Sequence, residues 1–467
     1  MEKFDLIIIG GGAGAFAAAI RANELQAKTA LINAGLPWGG TCVNVGCVPS
    51  KTLLWAGEIL NLAKHHHIPG IELEVKKIDF QKIVQDELSL VDKLRQEKYE
   101  KVLKNLENVT AIEGIAKFVS PNEIEVNNKK LSAEKFIIAT GSTANIPPIA
   151  GIKQVGFLTH IEALRLKKIP RSLAVIGAGP LGLEFAQMFA RFGTKVTILQ
   201  RGHSILPLAE PILAKRLQEI LEKEDVAIKT NAQIKSAKQT DKGKMLTFEV
   251  EGEEKNIETE EILLAAGKIP NTQELGLEKA GVETNQKQAI IVNQHFQTSQ
   301  KNIFAVGDVI NAPLRLETTA GYEGTLAADN ALNDNSLSLD YGAVPYTVFT
   351  DPQLAAVGLT EEQQMKQMKV CSCRSVPFSA IPKAIITRRD EGMIKMMINP
   401  KDKRILGVHI LGPNAGDIIA QAMILIKNKN TIDDVINSLP VFPTLSEAIK
   451  IAALSFKKDI SKLSCCI

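Results

Sequence analysis

Short apolar runs that end in glycine recur along this chain. Leu6–Ile9 leads into Gly10, Gly12 and Ala15, followed by an alanine-rich stretch. Leu173–Ile176 leads into Gly177, Gly179 and Gly182, then a helical pattern through Phe192 and a second apolar run from Lys195 to Leu199. Each place predicts strand, tight turn and helix in that order, because the runs are too short for helices and glycine punctuates them. Three further runs close the same way: FIIATGS at 136–142, LLAAGKIPNT at 263–272 and NIFAVGDV at 302–309. Between these elements, residues 79–105 carry apolar positions at helical spacing among alternating charges, which predicts a long exposed helix.

The glycine spacing in the first two runs is G-x-G-x-x-G/A. The first glycine makes the turn and the second lets the backbone approach a pyrophosphate. The small third residue, Ala15 or Gly182, lets the helix pack on its strand, and the helix N-terminus faces the anion. Two such units in one α/β chain predict two Rossmann-like dinucleotide-binding domains, the arrangement a flavin enzyme with a nicotinamide donor needs. The residue that would hold a ribose hydroxyl lies about 20 positions beyond the turn. In the first unit Asn33 stands where an acid is expected, a departure, but its amide can still hydrogen-bond a hydroxyl, which leaves this unit compatible with FAD. In the second it is Gln200, followed by Arg201; no carboxylate stands there to repel a 2′-phosphate, which favours NADPH over NADH. Gly307-Asp308 would reach the flavin's ribityl hydroxyls, and Gly267 closes the nicotinamide unit.

Composition narrows the class. The chain has 467 residues, enough for about three domains. Its net charge of +3 calls for neither nucleic acid nor an anionic membrane. The start is not a signal peptide and no apolar stretch is long enough to span a bilayer, so a cytoplasmic protein is expected. Six cysteines are too few for a disulfide framework, and a close pair in a reducing compartment points to catalysis or metal binding.

Cys42 and Cys47, in GGTCVNVGCVPSK, form such a pair. On an ideal helix, five positions rotate a side chain by about 140°, so the thiols meet only if the segment is irregular. Gly39, Gly40 and Gly46 supply that freedom. A helix starting here would bring its positive end to the sulfurs and lower a thiol pKa, with Lys51 as a nearby cation.

This segment resembles the redox-active segment of the flavoprotein disulfide reductases, which include dihydrolipoamide dehydrogenase, glutathione reductase and mercuric reductase. The likeness continues through the FAD turn at Gly10–Ala15, the ATG containing Thr140 and Gly141, the NADPH turn at 177–182, the Gly-Asp at 307–308 and a C-terminal stretch beginning near VPYTVFTDPQLAAVGLTEEQ. It implies an FAD-binding domain at 1–149, an NADPH-binding domain at 150–269, a second FAD/central part at 270–338 and an α+β dimerisation domain at 339–467. It also implies hydride transfer from NADPH to FAD and then to a Cys42–Cys47 disulfide, with Cys47 against the flavin and Cys42 as exchange thiol. Gly40, Thr41 and Gly46 would border the flavin, and Lys51 and Glu184 match an ion pair beside its N5. The unit would be a homodimer whose active sites are completed by the partner's C-terminal region.

Cys465 and Cys466 are adjacent, one residue from the end. Consecutive Cα atoms lie about 3.8 Å apart, under the roughly 4.4 Å a disulfide needs. A prenylation signal needs cysteine fourth from the end, and Ser464 stands there. The pair either captures a soft metal ion or relays electrons as in large thioredoxin reductases. Mercuric reductases resemble this chain most, including the terminal SCC, which implies delivery of Hg(II) from Cys465 and Cys466 to Cys42 and Cys47. Many of them open with a small metal-binding module; this sequence opens on the FAD strand. Disulfide-reducing relatives place a histidine before PTLSE, where this chain has Phe442, with Glu447 retained. Phenylalanine cannot move protons, which favours a metal ion over a disulfide as electron acceptor. Lys268 stands where relatives usually carry arginine.

Three features read as structure. Cys371 and Cys373 fit a strand with same-face spacing. His65–His67 fit a solvated helix end. Trp38 fits packing as well as it fits a flavin contact.

Overall fold

A computed structural model describes residues 2–464. The first apolar run forms strand β1 (Glu2–Ile9), and its last four residues are fully buried. It lies between two parallel neighbours, β2 (Thr29–Asn33) and β6 (Lys129–Ile138), with Ile9 level with both Ile32 and Ile138. Buried on both faces, these strands read as continuous apolar runs. With β3 (Val109–Glu113), β4 (Lys117–Ser120) and β5 (Glu123–Val126), the sheet order is β3-β2-β1-β6-β5-β4. The strand Ile303–Ala305 joins β6 in parallel, so a segment far along the chain completes this first sheet.

Helix α1 (Ala13–Glu24) crosses the helix Glu317–Asn333 at very short range. A Cβ on Gly324 would lie 2.1 Å from the Gly14 carbonyl oxygen, and one on Gly14 would lie 3.1 Å from that of Ala320. Arg21 clamps the crossing with two bonds to the Asp329 carboxylate, at 2.9 and 2.8 Å. The closest helix contact therefore belongs to Gly14, one residue before Ala15. Ala15, the small residue read as packing the helix on its strand, is fully buried.

The second glycine run builds a four-stranded parallel sheet in the order Ala227–Lys229, Lys195–Leu199, Ser172–Ile176, Glu261–Leu264. An antiparallel meander from Gln233 to Thr259 covers one side of this unit. The C-terminal unit is a five-stranded antiparallel sheet, Tyr346–Val348, Gln353–Gly358, Ile405–Gly412, Met393–Ile398, Cys373–Pro377. Helices Ala415–Lys427 and Glu447–Leu454 pack on it through a shared apolar core.

The expected long helix forms as α-helix Phe80–Arg95, a π-helical turn at Gln96–Glu100 and a last turn Lys101–Lys104. It is not simply exposed: Phe80, Val84 and Val91 are buried, and the Phe80 ring meets Phe192 edge-on at 5.3 Å. The π turn brings Tyr99 against Phe16 at 5.0 Å. Trp38 packs edge-on to the same ring at 6.1 Å. His65 ends its helix and His66–His67 follow on the surface. Cys371 precedes the strand that begins at Cys373, so the two do not share a regular strand. Among the described residues, no helix is long and apolar enough to cross a membrane.

The Gly14–Gly324 crossing tolerates no side chain. Gly324→Ala should separate the two helices and cost about 1–3 kcal/mol, lowering the thermal unfolding midpoint of the flavin-bound protein. Gly321→Ala, in the same helix with nothing within 4 Å of its Cβ, should leave the midpoint unchanged or higher. Equal midpoints for the two variants would contradict this packing account.

Candidate active site: a thiol pair at a helix junction

The segment holding Cys42 and Cys47 is two helices: α2 (Gly40–Val45) and α3 (Cys47–His65). They meet at Gly46, whose φ of −127° and ψ of −111° break the helical path. A Cβ on Gly46 would lie 2.9 Å from the Thr41 carbonyl oxygen, so only glycine permits this junction. The break redirects the chain and brings the two sulfurs together, as the five-residue spacing demanded.

Asn44 holds the preceding loop in place. Its buried amide donates to the carbonyls of Gly40 at 2.8 Å, Pro37 at 3.1 Å and Trp38 at 3.2 Å. Gly39, with φ 98°, donates its N–H to Gly11 at 2.8 Å. Gly40 sits so close to the first glycine turn that a Cβ would reach Gly12 Cα at 2.6 Å.

Both thiols are free. The two sulfurs and a carboxylate oxygen of Glu317 all lie within 4.8 Å of one another. Glu317 occupies the first turn of the helix Glu317–Asn333. Nothing in its local sequence marks it; only the fold brings it to the pair. The hydrogen bond from Cys42 lowers the Cys47 thiol below its ordinary range, with Lys51 assisting, against opposing effects of burial and the Glu317 charge. Cys42 moves up, because it donates to Cys47 and is partly buried. Burial raises the Glu317 carboxyl as well. The hydrogen bond thus favours the thiolate at Cys47 over Cys42.

Lys51, one turn into α3, bonds Glu184 at 2.6 Å. Glu184 belongs to the helix Pro180–Arg191 that follows the second glycine turn, so this ion pair joins the two units. The other Glu184 oxygen accepts the Phe349 N–H at 2.9 Å, and the Lys51 ammonium lies over the Phe349 ring at 4.5 Å. A cleft of about 600 Å³ opens between these elements, lined by Gly12, Cys42, Cys47, Glu184, Asp308 and Glu317 among others. His160 also faces it; burial, then the Lys268 charge, lowers its pKa to about 4, leaving a neutral imidazole.

The glycine turns fit the dinucleotides read from them. Gly10 has φ +136° and its Cβ would strike the Ala139 carbonyl oxygen at 2.2 Å; Gly177 has φ +108° and would strike that of Ala265 at 2.4 Å. Gly182 would meet the Gly177 carbonyl oxygen at 2.1 Å, which makes it the packing glycine. Gly179 has nothing within 4 Å, and Gly12 only Gly40 Cα at 3.8 Å, so the anion cradles are open where a pyrophosphate approaches. Asn33 ends β2 beside Gly11 and donates to the Leu36 carbonyl at 2.9 Å, leaving its oxygen to accept from a ribose hydroxyl. Gln200 accepts the Ala178 N–H at 3.2 Å within the second turn, while Arg201 is exposed beside it. Thr41, Gly46, Gly141 and Asp308 all border the cleft; Asp308 accepts the Ser142 hydroxyl at 2.6 Å. Thr140 does not border it: its hydroxyl donates to the Asn271 carbonyl at 2.8 Å. Gly267 (φ +97°) follows the last strand of the second unit's sheet and has nothing within 4 Å of its Cβ. The Gly307 N–H is held by buried Glu323 at 2.7 Å, whose other oxygen accepts the Tyr341 hydroxyl at 2.6 Å. Cys465 and Cys466 lie outside the described residues.

A lowered thiol pKa keeps the thiolate present at lower pH. Alkylation of Cys47 by iodoacetamide in the reduced enzyme should stay fast below about pH 8.5, the ordinary thiol midpoint. Glu317→Gln removes a charge that opposes the thiolate, so its alkylation profile should move further down in pH. A profile that moves up, or does not move, would refute this electrostatic reading.

Comparison with known proteins agrees with this geometry. The family described as pyridine nucleotide-disulphide oxidoreductase matches residues 4–329, and its dimerisation domain matches 344–453. A mercuric reductase from Lysinibacillus sphaericus is 39% identical over 465 residues, covering 100% of this chain and 85% of its own. A dihydrolipoyl dehydrogenase from Geobacillus stearothermophilus is 37% identical over 454 residues, covering 96% of this chain and 95% of its own. The HOCl-induced flavoprotein disulfide reductase RclA from Escherichia coli, solved as a Cu(II) complex, superposes with a TM-score of 0.87 at 28% identity, covering 98% of this chain and 100% of its own. The two glycine cradles, the thiol pair between them and the terminal dimerisation unit make this chain a member of the pyridine nucleotide-disulphide oxidoreductase family, flavoproteins that use FAD and NAD(P)H.

Proposed function

We propose that this chain is a homodimeric, NADPH-dependent mercuric reductase. The observation that carries the reading is at Phe442. Where disulfide-reducing relatives hold a proton-transferring histidine, this chain presents a half-exposed apolar ring. Glu447 is buried and accepts the Thr444 N–H at 3.0 Å, so its carboxylate ties down the turn that leads into its own helix. Reducing a disulfide releases thiolates that need protons, whereas reducing a bound cation releases the metal. Glu317 supports the same reading, since a carboxylate beside two sulfurs adds negative charge that suits a dication.

FAD, when bound, supplies the two-electron relay from NADPH to the thiols. The first glycine cradle and Asn33 would hold its pyrophosphate and ribose, and Asp308 its ribityl chain. The second cradle and Arg201 would hold NADPH, because an exposed guanidinium without a competing carboxylate suits a 2′-phosphate. Lys51, held by Glu184, would keep a positive charge beside the redox centre. Cys42 and Cys47 bind Hg(II) as thiolates, passed by thiolate exchange from Cys465 and Cys466 of the partner subunit. The balance is NADPH plus Hg(II) giving NADP⁺, one proton and Hg(0).

Two measurements test this. With Hg(II) in excess thiol, the enzyme should oxidise NADPH, faster than NADH, and release volatile mercury. Oxidation only with lipoamide, glutathione disulfide or oxidised thioredoxin would assign it to the disulfide reductases instead. Cys465→Ala with Cys466→Ala should slow turnover on thiol-ligated Hg(II) by roughly tenfold or more, because tethered thiols raise the local ligand concentration. Reduction of the flavin by NADPH should be unaffected. Unchanged mercury kinetics in that variant would refute the delivery role.

A further inference from the structure

Two thiols and a glutamate converge twice in this protein. Beyond the redox pair, Cys371, Cys373 and Glu361 place their sulfurs and a carboxylate oxygen within 4.8 Å of one another, and no other group of three or more such ligands occurs among the described residues. We infer that Cys371, Cys373 and Glu361 form a second metal-binding site, selective for thiophilic d¹⁰ dications such as Cd(II), Zn(II) or Hg(II).

The site is assembled by tertiary structure and not by sequence proximity alone. Glu361 is the first residue of the helix Glu361–Met368, whose start is capped by Thr360 and Gln363 in a reciprocal box. Cys373 begins its strand opposite Met397, and Ser372 accepts the Ile398 N–H at 2.9 Å, which anchors the Cys-x-Cys segment to the neighbouring strand. Beneath them lies a buried polar layer. The Lys395 ammonium bridges the carboxylates of Glu210 and Glu361. Glu210 also accepts the Glu361 N–H at 3.0 Å. His409, directly across the ladder from Lys395, is fully buried, and its Nδ1 has no partner. This layer fixes Glu361 by its backbone and by one charge, and its carboxylate lies at the sulfurs.

The donor chemistry selects the ion. Two sulfurs and one oxygen suit soft or borderline cations and leave a fourth position open to water or a small thiol. All three ligands are half-buried, so a cation can enter from solvent. Burial, and then Cys373, push the Cys371 thiol up to about 12. A bound dication takes the place of the proton on any sulfur that carries one, and is left held by two thiolates and a carboxylate. This cluster lies in the dimerisation unit, and the cleft that holds Cys42 and Cys47 is lined by none of its residues. The site therefore retains a cation without reducing it, and its existence does not depend on the mercury reading.

The test uses Cd(II) and the full-length flavin-bound dimer, as isolated and without NADPH. Equilibrium dialysis with metal analysis compares wild type with Cys371→Ser/Cys373→Ser, so every other thiol contributes equally to both. The double variant should bind one Cd(II) fewer per subunit while keeping its flavin and its NADPH-driven reduction of ferricyanide. Glu361→Gln should keep the ion but weaken it by about tenfold or more. Equal stoichiometry in wild type and the double variant, or undiminished affinity in Glu361→Gln, would overturn the assignment.

Discussion

The chemistry of this protein depends on one interruption, at Gly46. Two helices that would otherwise run on as one are bent apart there, and the bend turns Cys42 toward Cys47. The lowered Cys47 thiol follows from that geometry: the Cys42 thiol, within the first helix, donates to the sulfur of the residue that starts the next. Asn44 secures the loop on one side of the junction, and the Lys51–Glu184 pair ties the other side to the second nucleotide unit. A side chain at Gly46 would collide with Thr41 and lose all of this at once.

Around the junction, the molecule is arranged so that two cradles face one cleft. The first is completed by residues that arrive late in the chain. The strand Ile303–Ala305 extends the sheet, and the helix Glu317–Asn333 crosses α1 at glycine-to-glycine distance. That crossing carries Asp308 and Glu317 to the site, so packing and chemistry share one cause. The Glu323 carboxylate, fixed between the Gly307 N–H and the Tyr341 hydroxyl, shapes the same turn from behind.

What the sequence revealed and what it hid divide along this line. The glycine turns were legible because positive φ and close backbone approach demand glycine at fixed spacing, and Gly10, Gly177 and Gly182 meet those demands. The thiol pair was legible because its spacing is incompatible with one regular helix. Glu317 was not, since an acid at a helix start is ordinary and only a distant crossing makes it a neighbour of Cys42. Thr140 was read as a cofactor residue from the ATG pattern, and its hydroxyl donates to the Asn271 carbonyl, a partner the sequence did not suggest. The helix at 80–95 was read as exposed from its charges, while Phe80, Val84 and Val91 form a narrow buried stripe. Cys371 and Cys373 were read as strand residues; Cys371 lies before the strand that Cys373 begins, and both sulfurs meet Glu361.

The two sulfur-and-carboxylate clusters share donors but differ in surroundings. One opens onto the cleft between the nucleotide cradles; the other rests on the Lys395 and Glu210 layer. The central claim is that the cleft-side thiols pass electrons to a thiophilic cation and not to a sulfur–sulfur bond. A single-turnover experiment tests it most directly. Enzyme reduced in advance with one equivalent of NADPH is mixed in a stopped-flow instrument with thiol-ligated Hg(II) or with oxidised lipoamide, and reoxidation is followed. The account predicts rapid reoxidation and mercury vapour with Hg(II), and slow reoxidation with lipoamide. Rapid reoxidation by lipoamide, with Hg(II) held but not reduced, would contradict it.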